Sequence, residues 1–577
     1  MENQNNQPNA EAYTGRPSLY FDTITFSDGT ILSLDEEDII VFVGPNNAGK
    51  SAALRELEEW VARSRPGTVV KNANLKKNGT SKELRHFLEN NSQKTKVSNG
   101  FNFGGFGYNI HESHINWFDQ STDRHPVASF FAKRLATETR IQGSNAAPAI
   151  PLFQTPPTNP IHLLLMDENL TNNISQKFNA AFGIDLIPFR AGGSEFPLYV
   201  GKKPEIPKGK DELSREFVDS LKNDCVRLDQ QGDGMRSFAT VLLNTIGSDT
   251  HSIQFLDEPE AFLHPPQAKL LGKYIAEGRR DKSQLFIATH STDILDGLLE
   301  GSSGKVRIVR IRRSENINII KELGKEKTSS ISKDTLIRFS RVFEGIFFER
   351  VFICESDADC MLYSSILNLQ SITGEKKPDV LFVHAAGKHR MGKMAETLQA
   401  LDVPLSIIAD IDILNEEDTF RSLIEKTGGD WTNVQPHWKV IADFVNSKRP
   451  ALNASQISGL IRSEIDGIEG VGEFPPKKVR GIKSILRDIS PWSSLKQSGR
   501  LALPGGEVVS HFDNLLEKCS EIGIWIVPVG EIEGFCRSIG SHGPGFVEKV
   551  IEEKDLQSDP ELQDLRDFIM KIWKGDK

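Results

Sequence analysis

The 577-residue chain carries 69 lysines and arginines against 79 aspartates and glutamates, a formal net charge of −10; its length exceeds one ordinary core and predicts roughly two to four domains. That acidity excludes a broadly basic surface, so any hold on nucleic acid must come from local patches. Five cysteines (Cys225, Cys354, Cys360, Cys519 and Cys536) with no C-x-x-C pair argue against a disulfide framework or a zinc knuckle, and a polar start with no apolar run near about eighteen residues predicts a soluble, cytoplasmic protein with a disordered lead over 1–18 and no membrane partner.

In chain order, Leu19 to Leu34 reads as two short strands about the turn Ser27-Asp28-Gly29. Ile39 to Val43 is an unbroken apolar run, as a buried parallel strand requires. It leads directly into Gly44-Pro45-Asn46-Asn47-Ala48-Gly49-Lys50-Ser51, and Ala53, Leu54, Leu57 and Val61 predict a helix after that loop. From 64 to 222 the periodicity weakens through a Gly-rich stretch, a Pro-rich stretch and a basic loop, which predicts an insertion. A helix over 235–244, a strand over 253–256, a helix over 266–277 and a strand over 284–289 then complete an α/β nucleotide fold within 19–328. A helical linker over 329–348 leads to a second α/β region, 349–577, with strands at 351–354, 380–383, 405–409 and 524–527, interrupted by an insertion over 413–520.

Gly44 to Ser51 matches G-x-x-x-x-G-K-[ST] at every fixed position. Gly44 and Gly49 let backbone N–H groups wrap phosphate oxygens, Asn46 and Asn47 stand in the same loop, Lys50 neutralises the β and γ phosphates of ATP, and Ser51 ligates Mg²⁺. The apolar strand before Asp257-Glu258-Pro259-Glu260 ends in two acids, placing Asp257 in the Mg²⁺ shell and Glu258 to polarise the attacking water. With Leu263-His264-Pro265 this run resembles the Walker B motif and D-loop of ABC-type ATPases. His290, in Ala288-Thr289-His290-Ser291, stands where that family has its switch histidine, and Gln231-Gly232-Asp233-Gly234 where it has its signature loop. The resemblance implies that Gly232 and Gly234 meet ATP held by a second subunit, hence a homodimer. Gln231 replaces the family's serine, which removes a hydroxyl contact to the γ-phosphate and suggests slow or partner-dependent hydrolysis.

The second motif set is acidic. Glu355 ends an apolar strand and Asp359 follows it by one helical turn, an arrangement that resembles the opening of the Toprim domain, although Ser356 stands where that family has glycine. Val383-His384-Ala385-Ala386-Gly387-Lys388 resembles the family's small-residue turn, and Asp410 and Asp412 its D-x-D pair. Oxygen ligands without a Cys or His cluster suit Mg²⁺ or Mn²⁺ rather than zinc. Gly530-Glu531-Ile532-Glu533-Gly534 resembles the late acidic motif, with Glu533 as metal ligand and Glu531 as its rival, and Lys549 is a candidate to stabilise the cleaved phosphate. Two metals about 3.5–4 Å apart perform nuclease chemistry; a topoisomerase would need a nucleophilic tyrosine, and none here, Tyr363 included, has a strand-passage setting.

Together the two sets resemble the OLD family of ATP-dependent nucleases, found in anti-phage defence systems such as Gabija or retron effectors. The resemblance implies a metal-dependent DNA endonuclease gated by an ATPase dimer, with DNA as substrate. The alternative is a nucleotide-sensing subunit that cleaves only with a partner, for example a reverse transcriptase with its RNA-DNA product. A repair ATPase of the SMC type is a third reading, against which stands the lack of long heptad arms. Candidate DNA patches are Lys477, Lys478, Arg480, Lys483 and Arg487, and Lys305, Arg307, Arg310, Arg312 and Arg313.

Overall fold

The computed structural model describes residues 16–575 except 121–122, 153, 247–250, 280–281, 303, 316, 327, 329–340, 370–377, 449–453, 467, 469–473 and 489–490, together with the side chains of 484, 487 and 488. The expected lead over 1–15 and most of the expected linker, 329–340, lie outside the described residues. Of that linker, Arg341–Phe347 forms a 3-10 helix. The chain divides into two compact units, Met1–Asp334 and Thr335–Lys577. Among the described residues no helix is long and apolar enough to cross a membrane.

The first unit is built on a six-stranded sheet in the order 317–323, 306–314, 39–43, 284–288, 253–257, 132–135. Its strands are parallel except for the edge strand Ile317–Leu323, which pairs antiparallel with Val306–Ser314. Every residue of Ile39–Val43 is buried, as a strand covered on both faces must be. Phe42, Phe255 and Phe286 pack side by side, with Phe21 edge-on to Phe286 at 5.5 Å between centroids. Full burial of each such ring contributes roughly 1.5–3 kcal/mol. Asp257 pairs with Ala288, and Ala288 with Phe42, so the carboxyl ends of three adjacent strands lie level and deliver the glycine loop, the acid pair and Thr289-His290 to one rim.

The segment 64–222 is woven into this unit rather than appended to it. Ala132–Leu135 is the sixth strand of the main sheet, and Val70–Asn78 pairs antiparallel with Ser18–Phe26. Neither shows in the sequence pattern: the first has four residues, and the second exposes nearly one whole face of lysines and asparagines.

The second unit carries a four-stranded parallel sheet in the order 380–384, 350–354, 405–409, 524–526. Helices Asp357–Leu369, Pro544–Glu553 and Gln563–Lys574 bury their apolar faces in one cluster with Phe352, Ile408 and Trp525. The segment 413–520 is helical. Its last helix, Glu507–Glu521, leads through a turn at Gly523 into the strand Ile524–Ile526.

Candidate functional site

The nucleotide loop leaves Val43 at Gly44, whose φ of 136° favours glycine and where a Cβ would meet the Ile311 carbonyl oxygen at 2.1 Å. Gly49 repeats the requirement with a φ of 104°, and Asn46 and Asn47 are exposed at the loop's crown. Lys50 is buried and donates from Nζ to the carbonyls of Gly44 at 2.9 Å and Pro45 at 2.8 Å. Burial pulls its pKa down to about 8, against the opposing pull of Glu258, Glu260 and Asp257. Ser51 Oγ donates to Asp257 Oδ1 at 2.8 Å, so the two expected Mg²⁺ ligands already face each other. Glu258 adopts a φ of 47° and its Oε1 lies 3.7 Å from His290 Nε2. Burial, and then Lys50, push His290 down to about 4, which leaves its imidazole neutral. The signature glycines open the helix Asp233–Thr245: Gly234 is backed by the Phe262 carbonyl, whereas a Cβ on Gly232 would meet nothing within 4 Å.

Three functional groups here escaped the sequence reading. Arg140, 1 % exposed, donates from Nη1 to the Asp257 carbonyl and from Nη2 to the Glu258 carbonyl, both at 2.9 Å. Thr137 Oγ1 donates to the same Asp257 carbonyl at 3.0 Å. Both follow the sixth strand, inside the segment that gave no pattern. Glu260, half-buried, accepts from Thr289 Oγ1 at 2.7 Å and from the His290 N–H at 2.9 Å, which fixes the approach to His290.

In the second unit the sheet's carboxyl ends bring Glu355, Asp410 and Asp412 together, one oxygen of each within 4.8 Å of the others. Glu531, Glu533 and His542 form a second group, their ligand atoms likewise within 4.8 Å of one another, so both rival late acids stand in one cluster. Asp359 is buried and accepts from the Ser356 N–H at 2.8 Å, while Ser356 Oγ accepts from the Asp359 N–H at 3.3 Å. The serine at the family's glycine position thus closes the loop through its own side chain. Burial and then Asp412 raise Glu355 to about 7, and burial followed by Asp359 and Glu355 drives Asp410 well above the usual carboxylate range. Glu355 Oε2 and Asp412 Oδ1 are buried without a hydrogen-bond partner. Carboxylate oxygens left bare in this way fit hard divalent cations, and Mg²⁺ or Mn²⁺ matches the all-oxygen core of the set.

A lysine that the sequence pattern did not single out, Lys496 on helix Pro491–Ser498, stands at this centre. Lys496 Nζ lies 3.1 Å from Asp412, 3.6 Å from Glu531 and 3.8 Å from Asp410. Lys549 is exposed on Pro544–Glu553 and forms no ion pair among the described residues, because its position on that helix is on the solvent side. Lys388 donates to the Asp412 carbonyl at 3.1 Å and pairs with Glu416 at 3.0 Å.

Of the two basic patches, that at 305–313 is partly engaged within the fold, with Arg313 exposed. Val306–Ser314 is an interior strand, so Arg310 is buried, Lys305 pairs with Glu37, and Arg307 with Asp38 and Glu322. In the other patch Lys477, Arg480 and Lys483 stay on the surface of helix Pro476–Asp488, Lys478 pairs with Glu464 at 3.3 Å, and the side chain of Arg487 lies outside the described residues.

The first unit therefore defines an α/β P-loop ATPase. The family described as "AAA domain, putative AbiEii toxin, Type IV TA system" matches residues 39–296. The Old nuclease of Escherichia phage P2 is 22% identical over 180 residues, which is 30% of this chain and 30% of that protein. Solved structures that resemble part of the chain include an SMC head bound to the C-winged helix domain of ScpA, with 11% identity, a TM-score of 0.34 and coverage of 54% of this chain and 100% of that one. The SMC head domain from Thermotoga maritima gives 11% identity, a TM-score of 0.28 and coverage of 54% and 99%. The family match thus covers the ATPase part of the chain alone, and the chain spans less than a third of the phage relative it resembles.

Proposed function

We propose that this chain is an ATP-regulated, metal-dependent DNA endonuclease of bacterial anti-phage defence, with an ATPase dimer over 19–328 that gates a Toprim centre in 349–577. The observation that carries the reading is the meeting of Glu355, Asp410 and Asp412 at the ends of parallel strands, with buried oxygens lacking any partner. Glu355, Asp359, Asp410, Asp412 and Glu533, with Glu531 beside it, would hold two Mg²⁺ or Mn²⁺ ions. Bound there, the metals would supply an activated water and stabilise the leaving oxygen of an in-line displacement. The chain's own part is to aim these carboxylates from rigid strand ends and to keep them poor in other partners. At the ATPase, Lys50 and the loop N–H groups bind phosphate, Ser51 and Asp257 take Mg²⁺, and Glu258 orients water beside the neutral His290. Open space over Gly232 suits the approach of a second subunit's nucleotide. DNA would lie along the basic face of Pro476–Asp488.

The test is plasmid nicking in Mg²⁺ or Mn²⁺. Asp410→Ala with Asp412→Ala abolishes nicking and leaves ATP binding intact; unchanged nicking refutes the assignment. A second reading, a nucleotide-sensing subunit that cleaves only with a protein or nucleic-acid partner such as a retron, draws support from helix Ala454–Ile465, none of whose residues is buried. Robust nicking by the isolated protein, with no partner co-purifying, rules that reading out.

A further inference from the structure

We propose that Lys496 is the built-in counter-cation of the acidic centre, bridging its carboxylates while they are metal-free and turning to the substrate phosphate when divalent ions take them. The inference rests on the nuclease reading for the second half of that exchange and on the structure of the acidic centre for the first.

Position is the first argument. Lys496 Nζ stands among Asp410, Asp412 and Glu531 at 3.1–3.8 Å, and so joins one acid group to the other. An ammonium among these oxygens takes up the space and the charge that a divalent ion would need there, so the two exclude each other by charge and by volume. Lys388, the other cation at this rim, is engaged by Glu416 and the Asp412 carbonyl, leaving Lys496 as the cation that faces the carboxylates themselves.

Anchorage is the second. The end of Pro491–Ser498 is fastened to the loop that carries Glu531: a Cβ on Gly530 would meet the Lys496 carbonyl oxygen at 1.9 Å, and one on Gly499 the Pro528 carbonyl oxygen at 2.2 Å. The Arg500 N–H donates to the Pro528 carbonyl at 2.9 Å, and the Ile411 N–H, between Asp410 and Asp412, to the Gly530 carbonyl at 2.9 Å. The backbone beneath Lys496 is thus bound to both acid-bearing loops. The side chain, 34 % exposed, retains a path to solvent. A fixed root with a free tip is what an exchange of partners requires. Lysine suits the task because its ammonium is a compact point charge on a flexible stem, able to serve carboxylate or phosphate without a fixed fork.

Charge balance is the third. Glu355, Asp359, Asp410, Asp412, Glu531 and Glu533 outnumber the lysines beside them, so these carboxylates need Lys496 on their own, whereas a centre holding divalent ions repels it. A displaced ammonium on this rim is well placed to meet the negative charge that develops on a phosphodiester.

The experiment titrates Mn²⁺ into the full chain without DNA by calorimetry, and separately measures plasmid cleavage, for wild type, Lys496→Met and Lys496→Arg, with thermal unfolding to confirm folding. Removing one screened cation at this range tightens Mn²⁺ binding by about 5-fold in Lys496→Met. Cleavage by the same variant falls about 100-fold or more, and Lys496→Arg recovers part of it. Weaker or unchanged Mn²⁺ binding in Lys496→Met overturns the exchange, as does wild-type cleavage. If the wild type itself does not cleave, the nuclease reading fails, while the titration still decides whether Lys496 competes with the metal.

Discussion

Arg140 donates from Nε to Ser237 Oγ at 2.7 Å while its terminal nitrogens hold the carbonyls of Asp257 and Glu258. One buried guanidinium therefore ties the helix that presents Gly232 and Gly234 to the strand end that presents Asp257 and Glu258. Glu258 sits at a φ of 47°, and the clamp on its carbonyl, with its own N–H donated to the Ala288 carbonyl at 2.8 Å, keeps it in that left-handed conformation. Arg140→Met leaves two buried carbonyls without their charged donor and lowers unfolding stability by about 3 kcal/mol. Because Glu258 is misplaced rather than removed, ATP turnover falls about 100-fold. Binding of a fluorescent non-hydrolysable ATP analogue changes far less. Turnover at the wild-type rate in Arg140→Lys, which cannot make all three bonds, would show that the clamp is dispensable.

Glu355 sets a pH dependence for metal binding. Its pKa of about 7 exceeds the ordinary 4.5, so the folded chain holds a proton there that the unfolded chain has already released. The stability this proton contributes is full below about pH 4.5 and is lost as pH rises through about 7. Metal requires the carboxylate, so Mn²⁺ affinity climbs up to about tenfold per pH unit below 7 and then levels off, with a proton released on binding. Glu355→Gln lowers the release by the proton that Glu355 holds, and at about pH 8 it raises the metal-free melting temperature by roughly 2–4 °C, because a buried charge has gone. Calorimetry in buffers of different ionisation enthalpy reads the proton, and equal proton release by the variant would exclude Glu355 as its source.

What the sequence made legible were places where an apolar run stops at a chemical group. Val43 before Gly44, Leu256 before Asp257, Cys354 before Glu355 and Ala409 before Asp410 are such stops, and each lies at or beside a strand's carboxyl end. Parallel strands in register make adjacency in the sheet from these separate stops, so both acid clusters were within reach of pattern. Arg140, Lys496 and His542 were not, because each belongs to a segment whose own periodicity says nothing about the rim it reaches. Lys549 follows the late acids in sequence, and its helix turns it to solvent. In the basic run at 305–313, Lys305, Arg307 and Arg310 are engaged or buried by neighbours that only the fold supplies.

Gly530 tests the anchorage beneath Lys496. Its φ of 107°, with the Lys496 carbonyl oxygen only 1.9 Å from where a Cβ would stand, leaves alanine no unstrained placement. Gly530→Ala destabilises the second unit by about 2 kcal/mol, a loss of roughly 4–8 °C in its melting transition. It also separates Lys496 from Glu531, so plasmid cleavage falls further than the fraction unfolded explains. ATP binding by the first unit is unaffected, which serves as the internal control. A variant that melts with the wild type would mean that the loop yields at little cost.

Lys50 links nucleotide binding to pH in the first unit. Its ammonium meets two carbonyls, and burial holds its pKa at about 8. The unfolded chain keeps that proton up to about 10.5, so between these values unfolding takes up a proton, and the folded chain gains stability as pH rises through the window. Phosphate oxygens replace the carbonyls when ATP binds and return Lys50 to its charged form. Binding therefore takes up protons above about pH 8, an uptake measurable at about pH 8.5 as a dependence of the binding enthalpy on buffer ionisation. Lys50→Met removes the uptake and weakens ATP binding by about 100-fold, roughly the worth of two lost charged contacts. Wild-type binding with no proton uptake at that pH would show that the loop carbonyls leave Lys50 fully charged before the nucleotide arrives.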